Sequence, residues 1–186
     1  SVYGGSYFIH VYMISAAVAV WPDAPKSMIA KIDADGKMIE DGIVTPDGYV
    51  VNHVLSRNKP YPPKSDTSKL LPSQTMPTIG DKLSEKNISW AWYSEGWDDA
   101  VAGKKNNFAY NHEPFLYFAK YEEGTEGRKH LKDQNDFIKA AKEGSLPSVS
   151  FVKPGGGNDE HPGGSAVYSS EQLAVNLINA VLEGPN

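Results

Sequence analysis

Two stretches of this sequence gather side chains whose types and spacing suit chemistry. In Ser1-Val2-Tyr3-Gly4-Gly5-Ser6, two glycines deliver a serine to the head of a nearly uncharged run from Tyr7 to Trp21. In Phe151 to Ser165, FVKPGGGNDEHPGGS, the polar residues Asn158, Asp159, Glu160 and His161 sit in a glycine-rich loop after a short apolar strand. Each has a plain reading and a sharper one. Ser6 suits an N-cap, because its hydroxyl can accept from an orphan N–H of the first turn. It also suits an anion site, since a helix N-terminus presents free N–H groups and a positive dipole end that attract phosphate. A serine there can bind a phosphate and, with its pKa lowered by a metal, act as a nucleophile.

The 151–165 loop stands at the carboxyl end of a predicted strand, where open α/β sheets collect ligands. No Gly-Lys-Ser/Thr closes it, so it is not a P-loop. His161 is either a site residue or a turn residue. His112, in Tyr110-Asn111-His112-Glu113-Pro114, is either a packed loop histidine or a group that donates to a phosphate oxygen and shuttles a proton. His10 lies one helical turn after Ser6 on the same face, either supporting Ser6 or hydrogen-bonded in the core. His53 and His130 have no local company that suggests a role.

The elements that must position these residues follow from patterning. The Tyr7–Trp21 run lacks the positively charged start of a signal peptide, since no Lys or Arg precedes Lys26. As a helix it reaches only about 22 Å, short of the ~30 Å hydrocarbon core of a membrane. A helix apolar on every side belongs in a protein interior. Asp35-Gly36 predicts a hairpin turn in MIAKIDADGKMIEDG. The Asp33–Gly36 string departs from a calcium loop, because the sixth and twelfth positions hold Met38 and Val44. Residues 45–77 read as a long loop or insertion.

Further on, Thr78 reads as the cap of a short helix with Asp81 in its first turn, and Ile88 to Tyr93 reads as a strand. Trp90 and Trp92 would serve strand packing in preference to sugar stacking. A helix from His130 to a stop at Gly144, a strand at PSVSFVKP, and a serine-capped helix from Ser170 to Glu183 complete the chain. The order of helices and short buried strands reads as α/β.

Composition narrows the function. The 186 residues, 40% of them hydrophobic, suit one domain with a sizeable core. A net charge of −5 without a basic stripe argues against nucleic-acid binding. With no cysteine there is no disulfide, thiolate metal site or cysteine nucleophile.

Taken in order, YGGSYFIH, TPDGYVVN, PTIGDKLSEKNISWAWYSEGW, YNHEPFLYFAKY, HLKDQNDFIKAAKEGSLPSVSFVKP and NDEHPG resemble the bacterial phosphoesterase family of secreted acid phosphatases and phospholipases C. The acid-phosphatase branch is the nearer, because the phospholipase branch tends to carry threonine where Ser6 stands. The resemblance implies part of an alkaline-phosphatase-like α/β/α sandwich with loop-rich insertions. It implies metal-dependent hydrolysis of phosphate esters, with Ser6 as both nucleophile and ligand of a divalent metal, and with His112 and His161 lining the phosphate site. Its substrate would be a small phosphate ester or a phospholipid head group, and its place the periplasm or medium, without a membrane span.

In relatives, an Glu-Asn pair upstream of the Gly-Gly-Ser turn and an acidic motif after the last helix supply the other metal ligands. Both would lie beyond residues 1–186, so the sequence reads as a single domain or as the central fragment of a larger phosphoesterase, completed by segments of the same enzyme. The chain alone would then have little activity. The rival readings are a phospholipase C acting on diesters and an inactive piece with a structural or binding role.

Overall fold

The computed structural model describes residues 5–185, so Gly4 of the Gly-Gly-Ser turn lies outside it. The fold is α/β and divides into two compact units: residues 1–79 with 111–125, and residues 80–110 with 126–186.

The first unit opens with helix α1 (Ser6–Ser15), which ends where Ala16 turns left-handed. The helix is shorter than the apolar run that predicts it, because Ala16, at φ 50°, leaves the right-handed helical region and turns the chain away toward Pro22. Nor is it buried on every side. Tyr7, Val11 and Ile14 are buried, while Ile9, Tyr12 and Met13 are exposed. A long uncharged apolar run after a glycine turn suits a helix, but with no polar face it cannot say which side packs.

The predicted hairpin is present as β1 (Lys31–Ile32) and β2 (Met38–Glu40), antiparallel. Its turn is held by Asp33 Oδ1, which accepts the N–H groups of Asp35 and Lys37. Gly36, at φ 79°, supplies the left-handed step.

Residues 45–77 contain no named helix or strand, yet buried polar groups pin them. Ser56 Oγ and Asn58 Nδ2 both donate to Leu116 O, the latter at 2.8 Å. Gln74 is bound at both ends of its amide: Oε1 accepts Val20 N–H at 2.8 Å, and Nε2 donates to Val20 O at 3.1 Å. The bonds to Leu116 O, together with Gln74 N–H donating to Tyr117 O at 2.7 Å, hold the 3-10 turn Pro114–Tyr117, on which α1 docks. Tyr7 meets Tyr117 edge to face at 4.6 Å, and Tyr117 Oη donates to Val54 O.

The second unit is built on a three-stranded parallel sheet. Its elements are α2 (Ile79–Glu85), which begins at the unit boundary directly after Thr78, β3 (Trp90–Ser94), α3 (Trp97–Val101), β4 (Leu131–Asp133), α4 (Gln134–Glu143), β5 (Val149–Lys153) and α5 (Val167–Leu182). The strand order is β4-β3-β5. Central β3 is buried along its whole length, as a parallel strand covered on both faces must be. Trp90 and Trp92 are therefore packing residues, and Ile88 lies outside the strand, exposed.

Ala91, Tyr93 and Phe137 form a core joined by Ile138, Leu146, Val152, Leu177 and Val181. Two boundaries differ from expectation. Leu131–Asp133, which reads as the start of a helix, is β4, because Asp133 is in extended conformation and caps α4 by accepting Asn135 N–H at 2.9 Å. The last helix starts at Val167 with Ala166 as its N-cap, so Ser170 is inside it and not its cap.

Tyr7 is fully buried, and its hydroxyl has no hydrogen-bond partner among the described residues. Tyr7→Phe keeps the ring packing and removes an unpaired polar group, so it is expected to leave stability unchanged or raise it by up to about 1 kcal/mol. Tyr7→Ala is expected to cost about 3–5 kcal/mol. Urea unfolding of both variants checks the contrast, and a Tyr7→Phe loss as large as the alanine loss would contradict it.

Candidate functional site

Ser6 is the first residue of α1, and Gly5 occupies the N-cap position with no side-chain cap. The simple capping role is therefore not the one Ser6 has. Its hydroxyl stays at the positive end of the helix, half-buried, and no acidic residue stands in the first turn to oppose an anion. First-turn N–H groups have no acceptor four residues back; in α1, Phe8 N–H donates instead to Gly5 O at 3.0 Å, so those of Ser6 and Tyr7 are the ones able to meet phosphoryl oxygens.

Three imidazoles surround this turn. His10 Nδ1 lies 2.7 Å from Ser6 O. A carbonyl can only accept, so Nδ1 carries the proton and a neutral His10 keeps its lone pair on Nε2. His112, at the end of the 3-10 turn Tyr110–His112, stacks on His10 with centroids 4.4 Å apart and planes within 7°. His53 packs against Gly5 so closely that a Cβ there would stand 3.2 Å from His53 Nε2. The sequence gives His10 and Ser6 as helix neighbours, but His53 and His112 reach them only through the pinned loop and the Pro114–Tyr117 turn.

His161 belongs to the second unit, whereas Ser6 and His112 belong to the first. Strand register builds its surroundings. Ser94 pairs with Asp133 on one side and with Lys153 on the other, so all three strands end abreast. The chain exits at Glu95, Gln134 and Pro154 consequently share one edge.

Glu95 Oε1 accepts from Asn107 Nδ2 at 3.0 Å and from Asn158 Nδ2 at 3.1 Å. Its Oε2 accepts Gly155 N–H at 2.9 Å and the same Asn158 amide at 3.1 Å. Burial alone would raise the Glu95 pKa. The bonds from Asn107, Asn158 and Gly155, with the Lys153 ammonium, outweigh it and hold the carboxyl below its ordinary value. Lys153 lies below the usual lysine range because its own burial outweighs the attraction of Asp159 and Glu95.

His161 is exposed. Its Nδ1 meets Pro162 O at 3.0 Å, which again leaves Nε2 as the lone-pair nitrogen of the neutral ring.

Beside this edge lies a cleft of about 620 Å³, lined by Glu95, Asp99, Lys105, Asn107, Asp133 and Asn135 among others. Its carboxylates outnumber its ammonium, so it is a poor resting place for a phosphate. Glu95, Asn107 and Asp133 have no motif in the sequence. The signal available was a carboxylate directly following a buried strand.

Among the described residues, no group of three or more His, Cys, Asp or Glu side chains could hold a metal ion. The residues present around Ser6 do not by themselves fit the metal that the resemblance implies, and no step below passes through one. No helix among the described residues is long and apolar enough to cross a membrane.

The carboxylate clasp has a pH signature. A carboxyl held below its ordinary value stabilises the fold at neutral pH, and that contribution is lost as pH falls through the ordinary glutamate range, near about 4, and below it. Because Glu95 is partly exposed, Glu95→Ala should cost only about 1 kcal/mol at pH 7, with a smaller deficit at pH 3. Urea titrations of both proteins at the two pH values test this, and a deficit independent of pH would refute it.

Residues 1–186 match the model of the Phosphoesterase family. A search of curated proteins returns no significant match.

Proposed function

The chain belongs to the phosphoesterase family, whose chemistry is hydrolysis of phosphoric esters, and from that premise we propose that Ser6 is the group that takes the phosphoryl transfer. One observation carries this reading. Gly5 occupies the cap, so the Ser6 hydroxyl is left at the positive end of α1, whose first turn holds no acidic residue. That is where a phosphoryl group would be held, its oxygens facing the first-turn N–H groups.

In this reading Ser6 Oγ passes its proton to solvent water as it attacks phosphorus, and the bond from phosphorus to the ester oxygen breaks. The leaving oxygen takes a proton from an imidazolium, with His112 and His161 as the candidate donors. Water then attacks the phosphoserine, releasing inorganic phosphate and restoring the hydroxyl. The His10 bond to Ser6 O and its stacking on His112 support an ordered first turn and imidazole pair, so that little motion is needed to bring the groups to reaction.

Acid-phosphatase action on monoesters is the preferred form, since Ser6 is a serine.

The test uses the protein with p-nitrophenyl phosphate. Ser6→Ala is expected to reduce turnover by at least about 10³-fold without lowering the thermal midpoint. Acid quenching during turnover should leave a phosphoryl adduct on the Ser6 peptide of the wild type. Turnover retained in Ser6→Ala, or an adduct on another residue, overturns the assignment.

A further inference from the structure

We propose that Glu95 is a positioning residue: it clamps the glycine-rich loop after β5 and thereby fixes the place of His161. The inference rests on the preceding reading insofar as His161 serves phosphoryl transfer, but the clamp itself rests on geometry. Glu95 is tied to the last residue of β5 by its own N–H, which donates to Lys153 O at 3.1 Å. Its carboxylate then reaches past the strand end to Gly155 and Asn158.

Asn107 closes the circuit from the other side. Its Nδ2 donates to Glu95, its main-chain O accepts Gly156 N–H at 3.0 Å, and its Oδ1 accepts Gly157 N–H at 3.1 Å. The loop is pressed so tightly onto Asn107 that a Cβ on Gly155 would stand 2.4 Å from Asn107 O, so only glycine fits.

Beyond Asn158, the chain forms a small turn bonded to itself. Asp159 Oδ1 accepts His161 N–H at 3.1 Å and Ser165 Oγ at 3.2 Å, and Gly164 N–H donates to His161 O at 2.8 Å. This turn is largely exposed, so its place is set by its attachments more than by burial. On one side it hangs from Glu95 through Asn158, and on the other Glu160 N–H donates to Ser170 Oγ at 3.1 Å on α5. Removing the carboxylate releases the first attachment and both of the Glu95 bonds to Asn158, so the turn and its imidazole are held less firmly at that end while the Ser170 attachment on α5 stays.

The experiment compares wild type, Glu95→Ala, Glu95→Gln and a control, Glu85→Ala, which removes an exposed carboxylate on α2 paired with Lys82. Two measurements are made on each: amide hydrogen exchange, and steady-state hydrolysis of p-nitrophenyl phosphate per folded molecule. In Glu95→Ala, residues 155–165 should gain exchange at least about tenfold beyond any change in β3 and α4. The kcat should fall about 10–100-fold with KM nearly unchanged, since a displaced proton donor weakens the transition state and not substrate binding. Glu95→Gln, which keeps an acceptor oxygen, should recover part of both, and Glu85→Ala should match the wild type.

Unchanged loop exchange in Glu95→Ala overturns the clamp. A loosened loop with unchanged kcat overturns the positioning of His161 for reaction. If Glu95→Ala does not fold, Glu95→Gln is read against the same two measurements. A full-length enzyme that hydrolyses no phosphate ester would instead sink the preceding reading, and the clamp would then be decided by loop exchange alone.

Discussion

Where parallel strands end abreast, the backbone leaving them loses its ladder and must find new hydrogen-bond partners at one crowded edge. Two carboxylates meet that demand in the second unit. Asp133, buried at the end of β4, caps α4 and also accepts Asp98 N–H at 3.2 Å, so it sets the start of both neighbouring helices. Glu95, one residue beyond β3, gathers the exits that carry Asn107 and Gly155. Crowding has a cost nearby: burial, together with the charges of Asp133, Asp136 and Asp99, keeps the Asp98 carboxyl above its ordinary value. The edge is therefore acidic and amide-rich, which suits the ordering of loops better than the holding of an anion.

The first unit solves a different problem. Helix α1 has almost no polar residue with which to choose a side, so its orientation comes from its partners. Tyr7 inserts against Tyr117, and the 3-10 turn carrying Tyr117 is itself held by Ser56, Asn58 and Gln74 from the long irregular segment. That segment lacks regular structure but is not loose, because buried side-chain amides and hydroxyls take the place of a ladder. Its functional consequence is local: it brings His53 to Gly5 and His112 onto His10. The phosphoryl-transfer proposal depends on this arrangement, since the positive end of α1 is useful only if proton-carrying groups stand near it.

Much of this was legible beforehand, and the misses have physical causes. Asp35-Gly36, the Gly144 stop and the Val149–Lys153 strand are signalled by turn chemistry and β-branched residues, which act locally. The helix beginning at Ser6 was legible for the same reason. Its exposed face was not, because a uniformly apolar stretch carries no phase. Leu131–Asp133 was hidden because a short edge strand running straight into a helix shares that helix's hydrophobic spacing. Ser170 resembled a cap in sequence, yet helix α5 begins a turn earlier, and Ser170 instead accepts Glu160 N–H from the loop.

By itself, the sequence determined the α/β character, the serine at a helix head, the glycine-rich loop after a strand, and through its ordered motifs the phosphoesterase family. These depend on neighbours a few residues apart, where backbone preference and periodicity decide the outcome. Only the tertiary structure decided that Gly5 and not Ser6 stands at the cap position, that His53 and His112 attend the same turn, and that Glu95 gathers Asn107, Gly155 and Asn158. Each of the last two joins residues far apart in the chain, and strand register and buried polar pairing, not local propensity, bring such residues together.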